Sequence, residues 1–125
     1  MAVSYPPLHG SKSRIAGQCF GIVGPAVAAF GHQQLSYALV EEACRRHAPA
    51  LEQLPPVPAL GITALAGIVA WRAWRRSAPT VSGGEDVTVG TDWFFGLVGL
   101  AMSGLAVTLI LAQWLPTLFL HPCQP

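Results

Sequence analysis

Charge is scarce in this sequence. Only 10% of the residues are Asp, Glu, Lys or Arg, Lys12 is the single lysine, and the net charge is +1, whereas soluble domains carry about 25% charged residues. There is no basic run that would neutralise the phosphates of a nucleic acid. Neither a Walker A motif nor a G-x-G-x-x-G fingerprint is present. The sequence therefore excludes nucleic acid as a partner and gives no support for nucleotide binding.

Hydrophobic residues make up 52% of the 125 residues, and the mean hydropathy is +0.47. A hydrocarbon core about 30 Å thick is crossed by roughly 20 helical residues, because lipid offers no partner for unpaired backbone groups. Three apolar stretches approach or exceed that length, at residues 17–40, 57–74 and 93–120. We therefore predict one domain over residues 1–125, an all-α integral membrane bundle of three transmembrane helices.

The segments around the spans carry further signals. Residues 77–91 are rich in Gly, Ser and Thr, which predicts a flexible cytoplasmic loop between the second and third spans. The triplet Ala-Val-Ala at residues 26–28, which follows the basic Lys12 and Arg14, has the form of a signal-peptide cleavage site. Because the apolar run continues well past this triplet, we expect a retained first span.

The basic residues predict the orientation of the chain, because Lys and Arg are held on the cytoplasmic side of a membrane. With the N-terminus inside, five basic residues are cytoplasmic and only Arg45 and Arg46 are outside. We therefore predict an N-in, C-out topology. It also places three tryptophans, Trp71, Trp74 and Trp93, in one headgroup belt and Trp114 in the opposite one.

Two of the three cysteines lie just beyond spans on the predicted outer side. Cys44 follows the first span and Cys123 the third, and an oxidising periplasm favours a disulfide between them. Together with His47 and His121, the same sulfurs would instead suit a tetrahedral zinc or copper site, and two free thiols are a third alternative. We predict the disulfide and expect no metal or other cofactor. Cys19, at the cytoplasmic end of the first span, is expected to stay reduced.

The first span is interrupted by a polar patch, His32, Gln33 and Gln34. These three residues point in too many directions to be hidden by three helices, so we predict that they and Tyr37 contact a partner protein. Haem ligation by His32 would need a second histidine at similar depth, which the other spans do not supply. Gln33 and Gln113 are predicted at nearly equal depth, where their amides could form a hydrogen bond between helices.

Small residues recur at four-residue intervals in all three spans, which is typical of helices that approach closely in a membrane. They are Gly24 and Ala28, then Ala59, Thr63 and Gly67, then Gly99 and Ser103.

Three segments carry a resemblance to a known family: GPAVAAFGHQQLSYALVEEAC, AWRAWRR and LILAQWLPTLFLHPC. The chain resembles small proteobacterial three-helix membrane proteins that are often encoded beside cytochrome c oxidase genes. Members often have an apolar or aromatic pair where this chain has Glu41 and Glu42. The resemblance implies a bacterial inner-membrane protein, and it carries over no catalytic residue.

The function expected from this resemblance is that of a non-enzymatic accessory subunit of a haem-copper cytochrome c oxidase or its supercomplex. The alternative is a periplasm-facing copper-handling or assembly factor that uses the two cysteines and two histidines named above. A transporter is a weaker interpretation, because no charged residue lies at mid-membrane in any span.

Overall fold

The chain folds into three long α-helices. The computed structural model describes residues 9–77, 87–120 and 123. Helix α1 covers His9–Arg46, a short 3-10 helix covers Pro49–Gln53, α2 covers Pro56–Arg76 and α3 covers Val87–Phe119. All three α-helices are long and apolar enough to cross a membrane. The predicted all-α fold with three membrane-crossing helices is therefore confirmed, and the protein is a multi-pass membrane protein.

The helices extend beyond the predicted spans. Helix α1 has 38 residues, which at a rise of about 1.5 Å per residue makes it about 57 Å long, nearly twice the thickness of the hydrocarbon core. Helix α3 begins at Val87, so residues 87–91 are helical and are not part of the flexible loop predicted at 77–91. The first turns of α3 are tied to α1 through Asp92, as described below. Residues 78–86 of that predicted loop lie outside the described residues.

Each helix packs against both of the others, and the side chains between them are small. The predicted small residues Ala28, Ala59, Thr63 and Ser103 are all buried. Further residues of the core, which the four-residue pattern does not include, are Ala66, Ala70, Ala106 and Ile110. A core of this kind lets the helix backbones come close together, which is how helices associate in lipid.

The closest approaches involve two glycines of α3. A Cβ atom at Gly96 would lie 2.9 Å from the backbone of Trp74 in α2. At Gly99 it would lie 3.0 Å from the Cβ atom of Ala70 and 3.2 Å from the carbonyl oxygen of Gly21 in α1. All three helices therefore meet at Gly99, and neither position has room for a larger residue without a shift of backbone.

The hydroxyl groups in this core are satisfied within their own helices. Thr63 donates to the carbonyl oxygen of Ala59 over 2.8 Å, and Ser103 donates to that of Gly99 over 2.9 Å. Such local bonds remove the cost of burying a hydroxyl but do not link one helix to another. Association in the middle of the bundle therefore depends on van der Waals contact.

Polar contacts between helices lie at the two ends of the bundle in the part of the chain that the structure describes. At one end, Asp92 of α3 forms a salt bridge with Arg14 and accepts a 2.7 Å hydrogen bond from Gln18 Nε2, both residues of α1. We call this the arginine-rich end. At the other end, which we call the disulfide end, Trp114 Nε1 donates to the side chain of Gln53 in the 3-10 helix.

Helix α1 ends in a Schellman motif. Ala48 N donates to Ala43 O over 3.0 Å and His47 N to Cys44 O over 3.4 Å, which is the paired pattern of this cap. His47 takes the left-handed position with a φ of 52°, where glycine is usual. Just before it, Glu42 forms ion pairs with Arg45 and Arg46. The motif stops α1 and turns the chain into the 3-10 helix.

We predict that Gly96→Ala destabilises the bundle by about 1 to 3 kcal/mol, because the new methyl group would overlap the backbone of Trp74. Gly104→Ala is the matched control, since a Cβ atom there meets nothing within 4 Å. Thermal unfolding of both variants in detergent, followed by circular dichroism, checks this. Equal melting temperatures for the two variants would contradict the proposed packing.

Candidate functional site

The disulfide end is closed by a covalent bond. Cys44, near the end of α1, and Cys123, beyond the end of α3, form a disulfide with their Cα atoms 5.4 Å apart and 79 residues apart in sequence. This is the pair of cysteines for which the sequence predicts a disulfide. The bond ties the chain beyond α3 to the end of α1. Cys19 is a free, exposed cysteine.

The alternative zinc or copper site would need four ligands, and the two cysteines among them are not available as ligands in this structure. Cys44 and Cys123 are bonded to each other, so neither is a thiolate. His47 is exposed at the end of α1, and His121 lies outside the described residues. Within residues 9–77, 87–120 and 123, no group of three or more His, Cys, Asp or Glu side chains could hold a metal ion.

A cavity of about 250 Å³, lined mainly by residues that carry a polar group, lies between α1 and α3 on the side of the 3-10 helix. Its walls come from all three elements: His32, Gln33, Ser36, Tyr37 and Val40 of α1, Glu52 of the 3-10 helix, and Gln113, Trp114 and Thr117 of α3. We call this the Glu52 pocket. It is smaller than the roughly 300 to 1,000 Å³ of typical small-molecule sites, so its volume suits an inserted side chain better than a cofactor.

Glu52 is the most unusual residue of this pocket. It is only 8% exposed, and its Oε1 atom is buried without a hydrogen-bond partner among the described residues. Leaving a buried polar group unpaired costs about 1 to 3 kcal/mol, so a hydrogen-bond donor at this position would stabilise Glu52. Glu52 carries no signal in the sequence, because burial of a lone glutamate among prolines and leucines follows from the fold of the 3-10 helix.

His32 is buried but lines the Glu52 pocket. It is 6% exposed and is hydrogen-bonded through Nδ1 to Ser36 Oγ at 3.3 Å, and its contact with a partner protein stays a prediction. The reason for its burial is helical spacing: His32 follows Ala28 and Gly24 at four-residue intervals on the face of α1 that packs against α2. That signal was present in the sequence.

The other residues of the predicted polar patch are divided between the pocket and the surface. Gln33 is half-buried and lines the pocket, Gln34 is exposed, and Tyr37 lines the pocket while remaining 71% exposed. Gln33 and Gln113 both line this cavity, and their equal depth in the membrane stays a prediction. No hydrogen bond between their amides is seen among the described residues. Tyr37 therefore forms the exposed rim of the pocket, and Gln34, three residues earlier on α1, lies next to Tyr37 on the helix surface.

Similarity to other proteins adds nothing to this picture. No protein-family model, curated protein or solved structure matches the chain. The candidate site is accordingly defined by its own geometry: a buried, unpaired carboxylate oxygen, a cavity of the size of a side chain, and an exposed aromatic rim at the disulfide end.

We predict that the double variant Cys44→Ser/Cys123→Ser loses about 2 to 4 kcal/mol of stability, because the disulfide closes a long loop. Cys19→Ser, which removes the free exposed cysteine, should unfold like the natural protein. Thermal unfolding in detergent without reductant measures both. An unchanged melting temperature in the double variant would show that the bond does not hold the chain beyond α3.

Proposed function

We propose that this protein is a non-catalytic accessory subunit that packs against a larger membrane protein complex. The observation that carries the proposal is the Glu52 pocket, where a carboxylate oxygen is buried without a partner in the described chain. A hydrogen-bond donor from a partner subunit would complete this site. The cost of burying Glu52 in the isolated chain would then be offset in the complex.

The rim of the pocket supports the same proposal. Tyr37 is 71% exposed and Gln34 is also exposed, although both lie inside an apolar helix. Polar side chains within transmembrane segments usually face protein or a water-filled cavity, because lipid cannot satisfy them. A partner helix lying along this side of α1 would cover Gln34 and Tyr37 and reach Glu52 at once.

The bundle also leaves much apolar surface for contacts with lipid or protein. In the most apolar 18-residue segment of each helix, only 22% of the segment is buried in the first helix, 33% in the second and 28% in the third. An apolar groove of about 670 Å³ runs between α1 and α2, with Phe20, Val27, Leu35 and Ile62 among its walls. The exposed apolar surface of the three helices therefore allows a neighbouring protein to pack on more than one side of the bundle.

We propose that the disulfide end faces the periplasm and the arginine-rich end the cytoplasm of a bacterial inner membrane. Two independent features support this orientation. Disulfides persist in oxidising compartments, and Cys44 and Cys123 lie at one end. The positive-inside rule places Arg14, Arg72 and Arg76 in the cytoplasm at the other end.

The resemblance described above is the basis for naming the complex, which we propose is a haem-copper cytochrome c oxidase or its supercomplex. The alternative of a copper-handling factor would need thiolates at Cys44 and Cys123, and these sulfurs form a disulfide in the structure. The subunit interpretation needs neither sulfur as a ligand and accounts for the exposed polar rim.

Affinity purification of the tagged chain in mild detergent tests the proposal. We expect haem-containing subunits to co-purify with the natural chain. The double variant Glu52→Met/Tyr37→Ala should lose most of this haem absorbance, because it removes the pocket carboxylate and the exposed aromatic ring. Thr108→Ala is the control, since Thr108 is exposed on α3 and does not line the pocket.

The isolated variant supplies a second readout. Glu52→Met alone should leave the melting temperature of the purified chain unchanged or raise it, because it removes a buried polar atom that has no partner. A natural chain that elutes without haem, or a double variant that retains all of it, would refute the proposal.

A further inference from the structure

The arginine-rich end contains a second pocket, which the proposed function does not use. It has a volume of about 530 Å³ and lies between the first turns of α1 and the last turns of α2. Its polar wall consists of Ser13, Arg14, Gln18, Arg72, Arg76, Ser77 and, from α3, Asp92. We call it the arginine pocket. Three guanidinium groups and two hydroxyl groups thus line one cavity.

The charges in this pocket do not balance. Asp92 is the acid in its wall, and it is already held by Arg14 and Gln18. Arg72 and Arg76 have no salt bridge to any described residue. They are four residues apart on α2, so their side chains lie next to each other on one face of the helix. Within residues 9–77, 87–120 and 123, the pocket therefore has two neighbouring positive charges without a counter-ion.

The other arginines differ from these two. Arg45 and Arg46 are paired with Glu42, and Arg14 is paired with Asp92. Arg75, which does not line the pocket, lies over the ring of Trp71 at 5.9 Å from its centroid. Arg72 and Arg76 are thus the two arginines without a charged or aromatic partner in the described chain, and both face the same cavity.

The remaining walls of the pocket are apolar. Gly17 of α1 and Val69 and Ala73 of α2 line it next to the arginines, and a Cβ atom at Gly17 would be 3.7 Å from Val69. The tryptophan pair Trp71 and Trp74, with ring centroids 5.3 Å apart, occupies the same end of α2. Tryptophans of this kind sit at the level of lipid headgroups. The pocket therefore joins a cationic surface to an apolar one at headgroup depth.

We infer that the arginine pocket binds the phosphate group of an anionic phospholipid. Guanidinium groups recognise phosphate oxygens with paired hydrogen bonds, and the hydroxyls of Ser13 and Ser77 can donate to the same group. The apolar wall suits the glycerol and acyl portion, which free phosphate lacks. Basic pockets between transmembrane helices are known sites for anionic headgroups. The site does not depend on the identity of the partner complex.

The test is a binding titration of the full-length detergent-solubilised protein with phosphatidylglycerol, monitored by tryptophan fluorescence. Arg72→Gln/Arg76→Gln should weaken binding about thirtyfold, because each arginine near an anionic lipid contributes about a factor of five. Arg75→Gln is the control: it removes one positive charge from the same helix turn but none from the pocket, and should weaken binding by no more than about fivefold, the effect of a single surface charge. Circular dichroism verifies that all variants keep their helix content.

Two further ligands distinguish the source of the phosphate. Phosphatidylcholine, whose headgroup has no net charge, should bind at least tenfold more weakly than phosphatidylglycerol, and inorganic phosphate should not compete at millimolar concentration. Equal affinity for the two lipids, or an equal loss in Arg75→Gln and Arg72→Gln/Arg76→Gln, would overturn the inference. Full competition by inorganic phosphate would show a site for soluble anions and would overturn the assignment to lipid.

Discussion

The close approach of three helix backbones at Gly96 and Gly99 is the constraint on which the rest of the structure depends. Lipid chains are as apolar as leucine, so helices in a bilayer gain little from burying apolar side chains against each other. They gain from close contact, which here requires glycine and alanine where Trp74, Ala70 and Gly21 meet α3. A core made of such residues has no space for interhelical polar groups in its middle.

The polar chemistry of the chain is consequently concentrated at the two ends of the bundle, and the ends differ. The disulfide end has a covalent bond, a hydrogen bond from Trp114 to Gln53 and the buried carboxylate of Glu52. At the arginine-rich end, Asp92 is already shared by two residues, and Arg72 and Arg76 have no salt bridge to another described residue. In the part of the chain that the structure describes, one end therefore lacks a hydrogen-bond donor and the other lacks an anion. We relate the first to a protein partner and the second to a lipid.

Much of this fold could be predicted from sequence because it follows from properties of single segments. Apolar length predicts the three helices, and four-residue spacing of small residues identifies Ala28, Thr63 and Ser103 as buried. The features that could not be predicted depend on how segments are placed relative to each other. Asp92 and Gln18 are hydrogen-bonded although 74 residues separate them in sequence. The contact of Gly96 with Trp74 depends on how the two helices are rotated about their axes. Glu52 is buried by a short 3-10 helix, which has no periodic hydrophobic pattern that would predict it.

The proposed function requires that another protein chain completes the Glu52 pocket. An electron cryo-microscopy structure of the particle purified from native membranes through this chain would show whether it does. We expect a neighbouring subunit packed on Gln34 and Tyr37, with a hydrogen-bond donor from that subunit at Glu52 Oε1. A particle in which Tyr37 faces lipid and the pocket holds no atom of another chain would contradict it.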